Sequence, residues 1–558
     1  MEHALSSVGD VVWGNCTTPM ALPGAECGYA LVPLDYTNQT AGVAKIALGR
    51  YNATSQNRQG AVFFNPGGPG IAGAFLATVA GTWLQGLVGE EWDIIGFDPR
   101  GIGLSEPAVQ CFPGNGTRAA FLANTVLDRG FDVAPDPTDP ANWYRLLEAQ
   151  RDANALYQTQ FEICEKVQGD SLRYMGTTSV VRDIDFIATA LQGNDTLINF
   201  YGFSYGTIMG QYLVNMFPDR VGRVVIDGVA DAEAWANDPP YIEVQTWLNS
   251  TEVTYRTFFE DCVEVMNAEV VFGRRLVKLM LLPQAGPSLC PLTTGGNDTV
   301  SAVYDRVEAF IEGLYEQPLP APDAIVPGIL TNGRVRDFFL RVLENPGSWG
   351  MAAEAVFSAM NGNATGVLDA LALQVAGDPA DLQRSAVTCN DENPFAPPTA
   401  ETLVEAALES LQNISRFYYA AIVTEPDSGC QYWPFTPPER YLGPWDNTPK
   451  NPILIISNTT VVHRDPITPL VNGERVHSYF PNTSALLVQD GPGHTSAMLQ
   501  SNCTINATRQ YFADGTLPAP GTVCLPNSPP FAPSPSPSPS STGGAHLSRL
   551  SRLSARAV

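Results

Sequence analysis

Short apolar runs recur through the first part of the chain, each stopped by turn residues. Ala61-Val62-Phe63-Phe64 ends at Asn65-Pro66-Gly67-Gly68-Pro69-Gly70, and Trp92-Asp93-Ile94-Ile95-Gly96-Phe97 ends at Asp98-Pro99-Arg100-Gly101. Leu197-Ile198-Asn199-Phe200-Tyr201 runs into Gly202 and then a helical periodicity through about Phe217, after which Arg223-Val224-Val225-Ile226 gives a fourth run. Buried-strand runs separated by helical stretches predict a mostly parallel sheet with helices on both faces, an α/β architecture.

The pattern changes in the middle. From about Ala232 to Tyr441 amphipathic stretches such as Val303–Tyr315 and Thr402–Ile414 dominate, broken by Pro/Gly-rich loops. A mainly helical insertion covering one end of the sheet is expected there. Strand runs return at Pro452-Ile453-Leu454-Ile455-Ile456 and Ala485-Leu486-Leu487-Val488, with a helix around Leu470–Ser478 between them. Beyond Cys524 the chain becomes Pro/Ser-rich, which predicts a disordered tail. The expected division is 1–231 and 442–525 for the core, 232–441 for the insertion and 526–558 for the tail.

Charge narrows the partners. The 558 residues carry a formal net charge of −26, which argues against nucleic acid, whose phosphates need a basic surface. No run of about 18 or more apolar residues exists, so no membrane span is expected. Ten cysteines, at 16, 27, 111, 164, 262, 290, 389, 430, 503 and 524, contain no C-x-x-C pair, so a metal site has no support. Pairing of nearest neighbours is the simplest disulfide scheme: 16–27, 111–164, 262–290, 389–430 and 503–524.

Thirteen N-x-S/T sequons begin at Asn15, Asn38, Asn52, Asn115, Asn194, Asn249, Asn297, Asn363, Asn413, Asn458, Asn482, Asn502 and Asn506. Beside the cysteines they favour the secretory pathway, although Met1–Ser7 shows no basic or apolar leader region and no signal peptide is visible.

The chemistry centres on Gly202-Phe203-Ser204-Tyr205-Gly206. A G-x-S-x-G between an apolar strand and an amphipathic helix raises a serine hydroxyl above the sheet on a strained turn. Serine needs a base, and the five histidines are His3, His463, His477, His494 and His546. His494, in the loop after the last apolar strand, is the expected base. Asp465, after the penultimate strand, is the expected acid that orients the imidazole, with Asp490 a rival too near His494 along the chain. Capping of the following helix is the plainer role for Asp465. Oxyanion donors are expected from the Tyr205 N–H and from Gly68 in the glycine-rich turn. No cofactor is implied.

The set Asn65–Gly70, Asp98–Ser105, Gly202–Thr207, Asp465–Pro469 and Gly493-His494 resembles the secreted tripeptidyl-aminopeptidase-like branch of the prolyl aminopeptidase family. Val32–Tyr36, Arg182-Asp183, Cys389-Asn390-Asp391 and Cys430–Pro434 extend the likeness from about Cys16 to Cys524, with about 415 to 520 resembling its TAP-like module. The loop Asn458–Arg464 departs from the pattern by being slightly longer. The resemblance implies an α/β-hydrolase fold, a helical cap and release of short peptides from free amino termini through an acyl-enzyme on Ser204. An acidic residue of the cap would bind the substrate ammonium, and Asp391 and Glu392 are the candidates. A carboxylic-ester hydrolase with the same triad is the alternative, and a binding protein of the same fold is a third reading. Oligomeric state is not legible.

Overall fold

The computed structural model describes residues 7–531 apart from 113, 115, 268, 273–274, 279–289, 295–297, 376–379, 425 and 459–463. The Pro/Ser-rich tail, residues 459–463 of the long loop (His463 among them), His3 and His546 therefore lie outside the described residues.

Seven strands precede the insertion: β1 (Val11–Asn15), β2 (Ala25–Pro33), β3 (Val43–Tyr51), β4 (Gly60–Asn65), β5 (Trp92–Phe97), β6 (Ile198–Phe203) and β7 (Val221–Asp227). Within it, β8 (Glu269–Phe272) and β9 (Arg275–Lys278) form one hairpin, and β10 (Leu319–Ala321) and β11 (Gly328–Leu330) another. After it come β12 (Ile453–Asn458), β13 (Ser484–Gln489) and β14 (Val523–Cys524). Ten of these build one sheet in the order β1-β2-β3-β5-β4-β6-β7-β12-β13-β14. The pairs from β5 through β14 are parallel, and β1, β2 and β3 join antiparallel at one edge.

This is an α/β-hydrolase fold. Every strand run expected from the sequence lies in the sheet, and β5, β7 and β12 are fully or almost fully buried, as two-sided parallel strands must be. β1 to β3 gave no comparable signal because glycine and charged or polar residues break their apolar runs, as in Trp13-Gly14-Asn15, Ala25-Glu26-Cys27-Gly28 and Ala44-Lys45-Ile46. A Cβ at Gly49 would lie 2.0 Å from the Ala74 carbonyl oxygen, so the helix Gly73–Val88 rests on β3 at backbone distance. The insertion is built chiefly of helices, among them Thr251–Asn267, Val300–Glu316, Asn332–Glu344, Ala380–Asp391 and Ala400–Asn413.

Three of the motifs that carry the resemblance meet in one buried cluster. Arg100 is wholly buried, and its Nε and Nη2 donate to the Asp183 carboxylate at 2.7 and 2.8 Å. Tyr36 Oη donates to the same carboxylate at 2.8 Å, and Arg100 also donates to the carbonyls of Pro33 and Leu34. The cluster fastens the end of β2, the loop after β5 and the helix Thr177–Gln192 together. Asp98 closes the loop after β5, accepting from Ala74 N and Leu104 N at 2.9 Å each.

All ten cysteines are paired, in the nearest-neighbour scheme: Cys16–Cys27, Cys111–Cys164, Cys262–Cys290, Cys389–Cys430 and Cys503–Cys524. By loop-closure entropy each stabilises by roughly 3 to 4 kcal/mol, the 53-residue loop most. Cys389–Cys430 lies inside the insertion and Cys503–Cys524 ties β14 to the helix Asn502–Asp514.

Removing one partner of a buried ion pair strands the other charge. Asp183→Ala is expected to lower the unfolding free energy by about 3–5 kcal/mol, measured by urea denaturation at fixed redox state. A loss under about 1 kcal/mol would show that Arg100 finds another partner.

Candidate active site

The sheet's parallel strands deliver the candidate residues to their carboxyl ends, where an α/β sheet places its chemistry. Ser204 follows β6 directly and starts the helix Tyr205–Met216, with φ 54° and ψ −125°. A left-handed non-glycine residue costs roughly 1–3 kcal/mol and is kept only where the surroundings dictate it. Those surroundings are tight. A Cβ at Gly202 would lie 2.1 Å from the Gly206 carbonyl oxygen, and one at Gly67 would lie 2.8 Å from the Ser204 Cβ. The glycines of the motif and of the turn after β4 are thus demanded by close approach. The turn is held by Ser204 N donating to the Asp227 carbonyl at 3.0 Å and by Thr207 N and Oγ1 donating to the Ser204 carbonyl at 2.7 and 2.6 Å.

The expected oxyanion donors flank this serine. Tyr205 is the first residue of its helix, so its N–H has no intrahelical acceptor. The Gly67 N–H is taken by Asn65 Oδ1 at 2.9 Å, whereas no hydrogen bond from the Gly68 N–H is seen among the described residues. Arg384, from the insertion, donates to the Gly68 carbonyl at 2.7 Å and so fixes the orientation of that peptide.

Asp465 and His494 come together as expected. His494 Nδ1 lies 3.2 and 3.3 Å from the two carboxylate oxygens of Asp465, which is wholly buried. The contact with His494 stands beside bonds to the following turn: Ile467 N and Thr468 N donate to Asp465 Oδ1 at 3.1 and 2.8 Å. Thr495 N donates to Asp465 Oδ2 at 3.1 Å, and the Thr468 hydroxyl sits 2.8 Å from Oδ2 and 3.0 Å from His494 Nδ1. Burial favours the neutral imidazole, but the Asp465 carboxylate, with Glu344 and Asp227 beyond it, outweighs this and pushes His494 up to about 9.

The loop that carries His494 is clamped from three sides. Asn458, at the end of β12, donates through Nδ2 to the Gly493 and Thr495 carbonyls at 2.7 and 2.8 Å. His494 N donates to the Glu344 carbonyl at 2.8 Å, and Ser496 donates to the Asp227 carboxylate. Asn458 was one of the thirteen sequons, yet it is completely buried and cannot present an acceptor in the folded protein. Asn15, Asn38, Asn52, Asn194, Asn249, Asn363, Asn413, Asn482, Asn502 and Asn506 are exposed, and Asn115 and Asn297 lie outside the described residues.

The other candidates fall elsewhere. His477 pairs with Ser484 at 2.7 Å on the helix Leu470–Tyr479, and Asp490 makes a backbone bond to Cys524. Asp391 is buried behind Tyr205: it accepts from Thr177 N and Oγ1 and from Trp235 Nε1 at 3.0 Å, while Thr177 Oγ1 meets Tyr205 Oη at 2.5 Å. Burial pushes the Asp391 carboxyl up to about 6. Glu392 is likewise buried. Sequence reasoning passed over Thr468, Asp227, Asn458, Ser496 and Glu344. The first was inside a quoted motif, and Asp227 and Asn458 each end a strand run with a polar residue at the sheet's active edge. Glu344 had no local signal. Among the described residues no cluster of His, Cys, Asp or Glu could hold a metal.

Comparison with known proteins fits this picture. Residues 60–268 match the family described as alpha/beta hydrolase fold, and residues 415–524 match the TAP-like protein family. The chain is 25% identical to serine protease Hip1 of Mycobacterium tuberculosis over 92% of its length and 91% of the relative's. It is 24% identical to the tripeptidyl aminopeptidase of Streptomyces lividans, over 93% of the chain and 87% of that protein. It is 27% identical to carboxylesterase B of M. tuberculosis, over 92% and 90%.

Only a neutral imidazole can accept a proton, so hydrolytic activity should rise with pH through an apparent pKa near about 9, above the ordinary 6.5. A kcat/KM profile whose rising limb sits at or below 6.5 would contradict the electrostatics described.

Proposed function

We propose that this α/β hydrolase with a TAP-like carboxyl-terminal segment is a secreted serine exopeptidase that releases short peptides from free amino termini. Ser204 is its nucleophile, His494 its base and Asp465 the acid that orients the base. The observation that carries this is a strained serine at a helix start, tied through Asp227 to the loop of an imidazole whose Nδ1 faces a buried carboxylate.

In this reading Ser204 Oγ attacks the scissile carbonyl while His494 Nε2 takes its proton. Asp465 holds the Nδ1–H and offsets the imidazolium charge. The N–H groups of Gly68 and Tyr205 meet the developing oxyanion. His494 returns the proton to the leaving amine, and a water molecule repeats the sequence on the acyl-enzyme. Five disulfides and ten exposed sequons support secretion.

The insertion touches the site on both sides, through Arg384 on the Gly68 carbonyl and through the Glu344 carbonyl on His494 N. Such a cover suits short ends of chains better than the middle of a folded protein. An amino-terminal ammonium needs a carboxylate that is not already saturated. Asp391, engaged by Thr177 and Trp235, serves this less well than Glu344. Glu344 is partly exposed, lies within electrostatic reach of His494, and its carboxylate has no hydrogen bond or ion pair among the described residues. Burial pushes its carboxyl up, which a bound ammonium would reverse. The 27% identity to a carboxylesterase keeps ester hydrolysis as the second reading.

Ala-Ala-Pro-type tripeptide amides, with free and with acetylated amino termini, should be assayed beside short-chain esters. The expected result is cleavage of the free peptides at least about 10²-fold better than the blocked ones. Glu344→Gln should lose most of that preference. Hydrolysis of the esters alone would overturn the peptidase reading, and an unchanged preference in Glu344→Gln would place the ammonium elsewhere.

A further inference from the structure

We infer that Asp227 is a positioning residue that joins the nucleophile's turn to the base's turn and sets a second anionic group toward His494. The inference rests on the assignment of Ser204 and His494 made above.

Asp227 is the last residue of β7, between β6, which delivers Ser204, and β12. Its main chain and side chain point to different halves of the site. The carbonyl accepts from Ser204 N at 3.0 Å. The carboxylate accepts from Ser496 N at 2.9 Å through Oδ1 and from Ser496 Oγ at 2.6 Å through Oδ2, with Tyr201 Oη also donating to Oδ2 at 3.1 Å. Ser496 stands two residues past His494.

The bonds fall where backbone strain is stored. Among the described residues four non-glycine residues have positive φ, and two belong to this site: Ser204 at 54° and Thr495 at 68°. Asp227 accepts the Ser204 N–H through its carbonyl and holds Thr495 by accepting the N–H of the next residue, Ser496, through its carboxylate. Each strained turn costs of order 1–3 kcal/mol, so each needs a partner that does not move. A wholly buried residue in mid-sheet, bonded to both, meets that need.

The same carboxylate has an electrostatic side. Burial raises the Asp227 carboxyl to about 6 against the pull of its Ser496 and Tyr201 bonds, so it is ionised at neutral pH. The acidic groups acting on His494 are Asp465, Glu344 and Asp227, and Tyr201 and His494 are the titratable groups facing Asp227. Imidazolium formed during proton transfer is therefore offset by Asp227 as well as by Asp465.

The test compares wild type, Asp227→Asn, Ser496→Ala and Ser204→Ala by steady-state kinetics on the best substrate, by the rate of fluorophosphonate labelling and by thermal melting. Asp227→Asn should lower kcat at least about 10-fold with KM within about 3-fold, and should slow labelling in parallel. It should also move the rising pH limb downward, since an anion beside the base has gone. Ser496→Ala keeps the buried charge, so it should lower kcat about 3-fold or more while leaving the pH limb in place. A folded Asp227→Asn with wild-type kcat and an unmoved limb would overturn the inference. Should Asp227→Asn fail to fold, wild-type kcat in Ser496→Ala would overturn it and the lowered kcat would support it. Continued labelling of Ser204→Ala would instead defeat the nucleophile assignment, a separate failure.

Discussion

Much of this molecule is arranged around a backbone that no ordinary residue adopts willingly. Ser204 has a left-handed φ between a buried strand and a buried helix, and the chain around it is cut to fit. Gly202 touches Gly206, Gly67 touches Ser204, and Asp227 receives the Ser204 N–H. Strain of this size is tolerable in a large core: β4 to β7 and β12 are lined with residues such as Val62, Phe63, Ile94, Phe200, Val224 and Ile455, all essentially inaccessible.

The second half of the site has the same character. His494 is not held by Asp465 alone but by a loop whose carbonyls are gripped by Asn458 and whose N–H groups reach Glu344, Asp465 and Asp227. Three strand ends, of β7, β12 and β13, thus fix one imidazole. The insertion meets the site through the Arg384 side chain on the Gly68 carbonyl, the Ser250 and Thr251 hydroxyls on the Asp465 and Pro466 carbonyls, and the Glu344 carbonyl on His494 N.

Sequence and structure part company in instructive places. The strand runs ending at Asn65, Phe97, Tyr201 and Ile456 were legible because two-sided burial demands unbroken apolar residues. The turn at Gly202–Gly206 was legible because its glycines answer to contacts a few residues away. β1 to β3 were not, since glycine and charged or polar residues break their apolar runs, and at Gly49 the reason is the helix Gly73–Val88 packed on β3 at backbone distance. Asn458 looked like a glycosylation signal and is a buried clamp, because a tripeptide pattern carries no information about depth. Asp391 and Glu392 stood out beside a cysteine, yet Glu344 is the one that acts electrostatically on His494, and its carboxylate has no hydrogen bond or ion pair among the described residues. That difference depends on which helix faces His494, which no local pattern records.

The central claim is that the strained serine is the group that forms the acyl-enzyme. The most direct measurement is reaction with diisopropyl fluorophosphate followed by peptide mapping in a mass spectrometer. A single adduct on Ser204, formed in step with loss of activity and absent when the protein is denatured before the reagent is added, is the predicted result. Full inactivation with the adduct on another residue, or an active enzyme carrying the adduct on Ser204, would contradict the account.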